Sequence, residues 1–240
     1  MASQTDISQH RRAGIVLCGG RSSRMGRAKA DLPFGDETML QRVVHTLSKV
    51  VDRVVVVASA EQVVPELSRH VVVVRDVRPH EGPLAGLAMG LSRLAADDGD
   101  SAPAPAPAPQ PVEAAYLTSC DVPWLSPAFI REMFSHLGDN DIAVPYDKQF
   151  YHPLAAVYRV CHHQMVNDLL AAGVRRPREL FEHLRTTRVD TTALDKIDSG
   201  LRSLVNVNTP EEYAAALQQA GYPVPDWITD RMVDAAFRKN

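Results

Sequence analysis

The stretch Gly14-Ile-Val-Leu-Cys-Gly-Gly-Arg-Ser-Ser-Arg-Met-Gly-Arg-Ala-Lys29 decides how the rest of the chain is read. A short apolar run, Ala13 to Cys18, stops at two glycines and gives way to small and basic residues. This is the pattern of a buried strand feeding a phosphate-binding loop. Gly19 and Gly20 carry no Cβ, so their backbone N–H groups can approach a polyphosphate closely. Arg21, Arg24 and Lys29 put positive charge where its oxygens would lie. The expected ligands are anionic nucleotides. The two commonest glycine loops are excluded. No Gly-x-x-x-x-Gly-Lys-Ser/Thr string occurs, and Gly19, Gly20 and Gly26 do not fit G-x-G-x-x-G.

Outward from this loop, apolar runs of strand length alternate with helical patterns. That alternation predicts an α/β fold, a mostly parallel sheet with helices on both faces. Strands are expected at residues 14–18, 53–58, 71–74, 115–119, 142–144, 154–158 and 204–207. Val54-Val-Val-Val57 and Val71-Val-Val-Val74 are continuous β-branched runs, as strands buried on both faces require. Helices are expected at 38–50, 61–69, 84–96, 127–137, 159–172, 177–185 and 210–220. Ser126-Pro127 and Thr209-Pro210 read as an N-cap followed by a proline at the first helical position.

The 240 residues are read as one domain with two additions. Residues 97–110 are an acidic run followed by alternating Ala-Pro, where proline at every second position forbids helix and sheet ladders. An extended surface insertion at about 97–112 is therefore expected, with a C-terminal helical extension at about 223–240. A net charge of −3 argues against general nucleic-acid binding. No apolar run reaches the roughly 20 residues of a membrane span. The polar N-terminus does not resemble a secretory signal, and Cys18, Cys120 and Cys161 form no C-x-x-C. The expected location is the cytoplasm.

Open parallel sheets bind ligands beyond the carboxyl ends of their strands. Four such ends carry chemistry. The first is the glycine loop. The second is Asp76 with Glu81-Gly-Pro-Leu-Ala-Gly86, where Gly82 and Gly86 flank a helix start that could accept a close ligand. The third is Thr118-Ser-Cys-Asp-Val-Pro-Trp124. Mg²⁺ takes one or two carboxylates plus phosphate oxygens, so Asp121 beside a triphosphate makes a magnesium site. The fourth is Asn206-Val-Asn208, whose alternate residues should project together from a strand. The competing reading of Asn208 is a cap on the helix from Pro210. Cys161-His162-His163 looks metal-like, but adjacent histidines on a helix diverge and no partner ligands follow at a suitable spacing.

Leu17, Gly19, Gly20, Ser23, Arg24, Met25, Gly26 and Lys29 match L-x-G-G-x-S-x-R-M-G-x-x-K, the nucleotidyltransferase signature. The chain most resembles the MobA-like molybdenum cofactor guanylyltransferases. Asp76, G-P-L-A-G, C-D-x-P and N-x-N-T-P-E extend the likeness from about Gly14 to Glu212. The resemblance implies a Rossmann-like three-layer α/β/α nucleotidyltransferase fold. It also implies transfer of GMP from Mg-GTP to the terminal phosphate of molybdopterin, with pterin-delivering proteins as further partners. Lys29, Arg24 and Asp121 would be catalytic. Leu17, Cys18, Gly19, Gly20, Lys29, Asp76, Gly82, Gly86 and Asp121 would bind nucleotide, and Asn206 and Asn208 the second substrate. His152-Pro153 falls near the family's segment for that substrate. Two departures stand out. Ala28 replaces an aspartate, and Ala58, Ser59 or Ala60 replaces an asparagine that contacts the nucleotide. Alternatives are a cytidylyltransferase of the same fold, acting on molybdopterin or methylerythritol phosphate, and a non-catalytic nucleotide-binding module.

Overall fold

A strand built from Ile15, Val16, Leu17 and Cys18 has no polar side chain to offer solvent on either face, and the fold places it at the centre. The computed structural model describes residues 11–19, 25, 27–76, 81–96 and 111–237, with backbone alone beyond 232. β1 (Arg11–Cys18) lies inside a seven-stranded sheet with β4 (Arg53–Ser59), β5 (Val71–Asp76), β6 (Val112–Ser119), β7 (Ile142–Tyr146), β8 (Ala156–Arg159) and β9 (Thr186–Asp190). A two-stranded hairpin, β2 (Pro33–Phe34) and β3 (Glu37–Thr38), precedes β4. The sheet order is β5-β4-β1-β6-β8-β7-β9. β8 runs antiparallel to both its neighbours, and the other pairings are parallel.

Helices cover both faces. α1 (Met39–Leu47) and α3 (Pro127–Ser135) pack on one, where Val16, Val54 and Val56 meet Leu40, Val43 and Phe129. α2 (Pro83–Ala96) and α4 (His163–Ala171) pack on the other, where Ile15, Val55 and Val57 meet Leu84, Leu87 and Val166. The three-layer α/β/α arrangement is as the sequence predicted. α2 lies unusually close to β1: a Cβ on Gly86 would stand 2.8 Å from Leu17 Cδ2. The remaining helices are α5 (Thr191–Leu194), α6 (Pro210–Gln219) and α7 (Asp226–Phe237). α6 opens on a capping box between Thr209 and Glu212, so the cap is Thr209 rather than Asn208.

Four expectations need correction. Residues 61–69 form no helix, because Pro65 cannot donate to the ladder and biases Val64 towards extended backbone. Arg75 instead fixes the segment by donating to the carbonyls of Ser59 at 3.3 Å and Gln62 at 2.5 Å. Residues 204–207 are not a strand. They follow a 3₁₀ turn at Arg202–Leu204, and Val207 N–H bonds the Asp121 carbonyl at 2.9 Å, so the chain crosses the end of the sheet. The edge position belongs to β9, a strand not anticipated although Thr186, Thr187 and Val189 are β-branched. The helix expected at 177–185 is a 3₁₀ run, Pro177–Glu182, and that expected at 159–172 begins later, with a 3₁₀ turn at Val160–His162 before α4. The Ala-Pro stretch 97–110 lies outside the described residues.

Candidate active site

The sheet has its switch point at β1. The chain builds β4 and β5 to one side and then returns to place β6 on the other. The crevice beyond the carboxyl ends of β1 and β6 follows from that order. A cavity of about 890 Å³ opens there. Leu17, Cys18 and Gly19 line it from β1, Asp76 from the end of β5, and Gly82 and Gly86 from the start of α2. Asp121, Asn206 and Asn208 close the remaining side. Gly82 has φ of 82°, a backbone state that strains any side-chain-bearing residue. Gly20, Arg21 and Arg24 lie outside the described residues.

Lys29 sits on a 3₁₀ turn, Lys29–Asp31, after the basic loop, and it reaches back to β6. Its Nζ donates to Asp121 Oδ2 at 2.6 Å and to Asn208 Oδ1 at 2.8 Å. The other Asp121 oxygen, Oδ1, accepts from Ser119 Oγ at 2.5 Å and from Asn206 Nδ2 at 3.0 Å. One carboxylate thus receives three donors from three parts of the chain. The Lys29 and Asp121 side chains are only 19% and 11% exposed, which strengthens the pair relative to one in open water. Asn206 and Asn208 meet at the site although no strand aligns them. Ser119 was missed by sequence reasoning. The available signal was its position two residues before Asp121, at the last residue of β6.

Beneath the network, Cys120 lies against Cys18, whose Sγ accepts from Gln62 Nε2 at 3.0 Å. The hydrogen bond with Cys18 and burial push the Cys120 thiol well above its usual range, so it is a packed neutral group and not a nucleophile. His152 does not reach the network. It lines a second cavity of about 900 Å³ and pairs with Asp147 at 3.6 Å. The two cavities share Pro83, Leu154 and Asn206 as a common wall. Among the described residues no group of three or more His, Cys, Asp and Glu side chains could hold a metal. His162 instead pairs with Asp141 at 3.0 Å. No described helix is long and apolar enough to cross a membrane.

Known proteins similar to this chain give its family and share its fold. The family model of the MobA-like NTP transferase domain matches residues 14–189. A relative in Mycobacterium avium named "Probable molybdenum cofactor guanylyltransferase" is 33% identical over 211 residues, covering 86% of this chain and 95% of its own. The Mycobacterium tuberculosis protein of the same name is 33% identical over 210 residues, with 86% and 93% covered. Among solved structures, molybdopterin-guanine dinucleotide biosynthesis protein A from Archaeoglobus fulgidus superposes with a TM-score of 0.68 at 20% identity, over 88% of this chain and 98% of that one. A 4-diphosphocytidyl-2C-methyl-D-erythritol synthase from Anaerococcus prevotii gives 0.61 at 14% identity, over 88% and 99%, so the fold alone does not choose the base. The family match spans the glycine loop, β1, β6 and the Lys29–Asp121 pair, and the chain is a nucleotidyltransferase of the MobA-like NTP transferase family.

Proposed function

We propose that this enzyme transfers GMP from GTP to the terminal phosphate of molybdopterin and releases pyrophosphate. The observation that carries the reading is the Lys29–Asp121–Asn206–Asn208 network at the switch point of the sheet. An attacking phosphate is already ionised near neutral pH, so the reaction needs no general base. The protein's task is to position two anions and offset their charge. Lys29 is tethered to Asp121 and Asn208 through a flexible stem, and its ammonium can turn towards the phosphates of a bound nucleotide. Arg24 of the basic loop would add charge on the same side. The guanine choice draws its support from the names carried by the relatives, and Asp76 on the cavity wall would accept from the base or ribose.

The donor set suits Mg²⁺. One carboxylate flanked by two amide side chains leaves the other positions to phosphate oxygens and water, as that ion prefers. Asp121 would hold it, with Asn206 and Asn208 orienting the carboxylate and the Lys29 ammonium. When bound, the ion neutralises charge on the triphosphate. Two experiments test the reading. In a thermal-shift titration with Mg²⁺ and each of GTP, CTP, ATP and UTP, GTP should raise the melting temperature most, by mass action. A preference for CTP would move the chain to the cytidylyl branch. Pyrophosphate should then appear only when GTP and molybdopterin are both present, and none in their joint presence would defeat the proposal.

A further inference from the structure

The acceptor needs a place next to the nucleotide, and the second cavity supplies it through the shared wall of Pro83, Leu154 and Asn206. Its construction says what kind of acceptor it takes. Tyr146 and Tyr151 close a turn as an isolated antiparallel bridge. Within the turn, Asp147 Oδ1 accepts the N–H groups of Gln149 at 3.0 Å and Phe150 at 2.6 Å, and Lys148 is held at φ of 73°. A left-handed lysine is unfavourable, so the carboxylate bonds must over-determine this turn. The result is Phe150 standing at the cavity with 66% of its surface exposed. Opposed to the usual burial of phenylalanine, that exposure leaves a flat apolar face open to a ligand.

Arg188 on β9 faces the same cavity. Its guanidinium lies 5.6 Å from the centroid of the Tyr146 ring and 5.5 Å from that of Tyr151. Tyr151 is in turn braced by Tyr146 at 4.7 Å and by Phe181 at 4.9 Å. Contact with two rings restrains the guanidinium before any ligand arrives, so less side-chain freedom is lost on binding. Arg176 and Arg178 also line this cavity, as do Glu179 and Glu182.

We propose that Phe150 and Arg188 form a platform that holds a planar heteroaromatic ring belonging to the acceptor, with Arg176 and Arg178 meeting its anionic groups. The inference rests on the nucleotidyl-transfer reading of the adjoining cavity. It goes beyond it by naming residues that select the acceptor, and by excluding acyclic polyol phosphates, which have no face to stack, as good acceptors. The two residues are positioning groups. They fix the ring so that its phosphate reaches the network at Asp121.

The test compares wild-type protein with Phe150→Ala, Arg188→Gln and Arg188→Lys. Both residues are exposed, so the variants should fold. The expected result is a KM for molybdopterin raised about tenfold by Phe150→Ala and by Arg188→Gln, with the KM for GTP unchanged. Arg188→Lys keeps the charge but loses the plane and should not rescue, whereas Phe150→Trp should. An unchanged acceptor KM in both truncations, or full rescue by lysine, overturns the platform. If wild-type protein gives no turnover, the nucleotidyl-transfer reading fails by itself. The platform is then judged by calorimetric titration with pterin-6-ylmethyl phosphate. Weaker binding to both truncations than to wild type supports it, and equal or undetectable binding to all three overturns it.

Discussion

At the residue scale, the site turns on a single carboxylate and a single ammonium drawn from points 92 positions apart in the chain. Lys29→Ala should cut pyrophosphate release by roughly 10²–10³-fold, the usual loss when one donor to a developing anion is removed. It should also lower stability only modestly, by about 1–3 kcal/mol, because Asp121 keeps Ser119 and Asn206 as donors. Asp121→Asn should abolish most turnover while the far-ultraviolet circular dichroism stays native. Near-normal turnover in Asp121→Asn would remove the carboxylate from the mechanism. Lys29 and Asp121 were legible in the sequence because a glycine stop and a Cys-Asp-x-Pro end each mark the carboxyl end of a strand. Ser119 was not, since a serine in a strand carries no signal until its neighbour is known to be the focus of a network.

At the element scale, what was legible follows from local chemistry, and what was not follows from tertiary pairing. α3 and α6 begin where their capping residues say they should, at Ser126 and at Thr209. The error at 61–69 was local too, since Pro65 was visible. β9 and the 204–207 crossing could not be told apart from sequence, because both are short extended stretches and only one finds a partner strand. Asp141 shows how β9 is held in place. Its carboxylate accepts the Arg185 backbone N–H at 3.0 Å, where β7 and β9 start side by side, and pairs with His162 before α4. Burial opposes ionisation of Asp141, but hydrogen bonds from Arg185 and the close His162 imidazole outweigh it and hold the pKa at about 2. A carboxylate depressed in this way stabilises the fold above its unfolded pKa, near 4, and loses that contribution as pH falls towards 2. Asp141→Asn should therefore lower the urea midpoint at pH 7 and flatten the stability curve between about pH 4 and 2. A variant whose curve parallels wild type through that window would show that the pair contributes nothing.

At the scale of the whole molecule, the sheet order brings the two cavities together, and a third cluster of buried side chains holds Met25 at the end of the basic stretch. The C-terminal helix was expected only as an appendage. α7 in fact packs Ile228 into a cluster with Met25, Leu32, Phe34 and Tyr213, and Arg27 lies 4.6 Å over the Trp227 ring. Met25 is thus held by a core to which the far end of the chain contributes, and Gly19 directly follows β1. No reading of local pattern could have found this, because the contacts join residues some two hundred positions apart. Its consequence is specific. Trp227→Ala removes the surface under Arg27 and loosens the Met25 end of the loop without touching Lys29, Asp121 or the second cavity. The KM for GTP should rise about three- to tenfold, in line with a loss of roughly 1 kcal/mol of positioning. The KM for the acceptor should hold, and the melting temperature should fall by a few degrees. Steady-state kinetics with each substrate varied in turn will separate the two. Equal rises in both constants would mean that α7 supports the fold as a whole, whereas a rise for GTP alone identifies it as the buttress of the phosphate-binding loop.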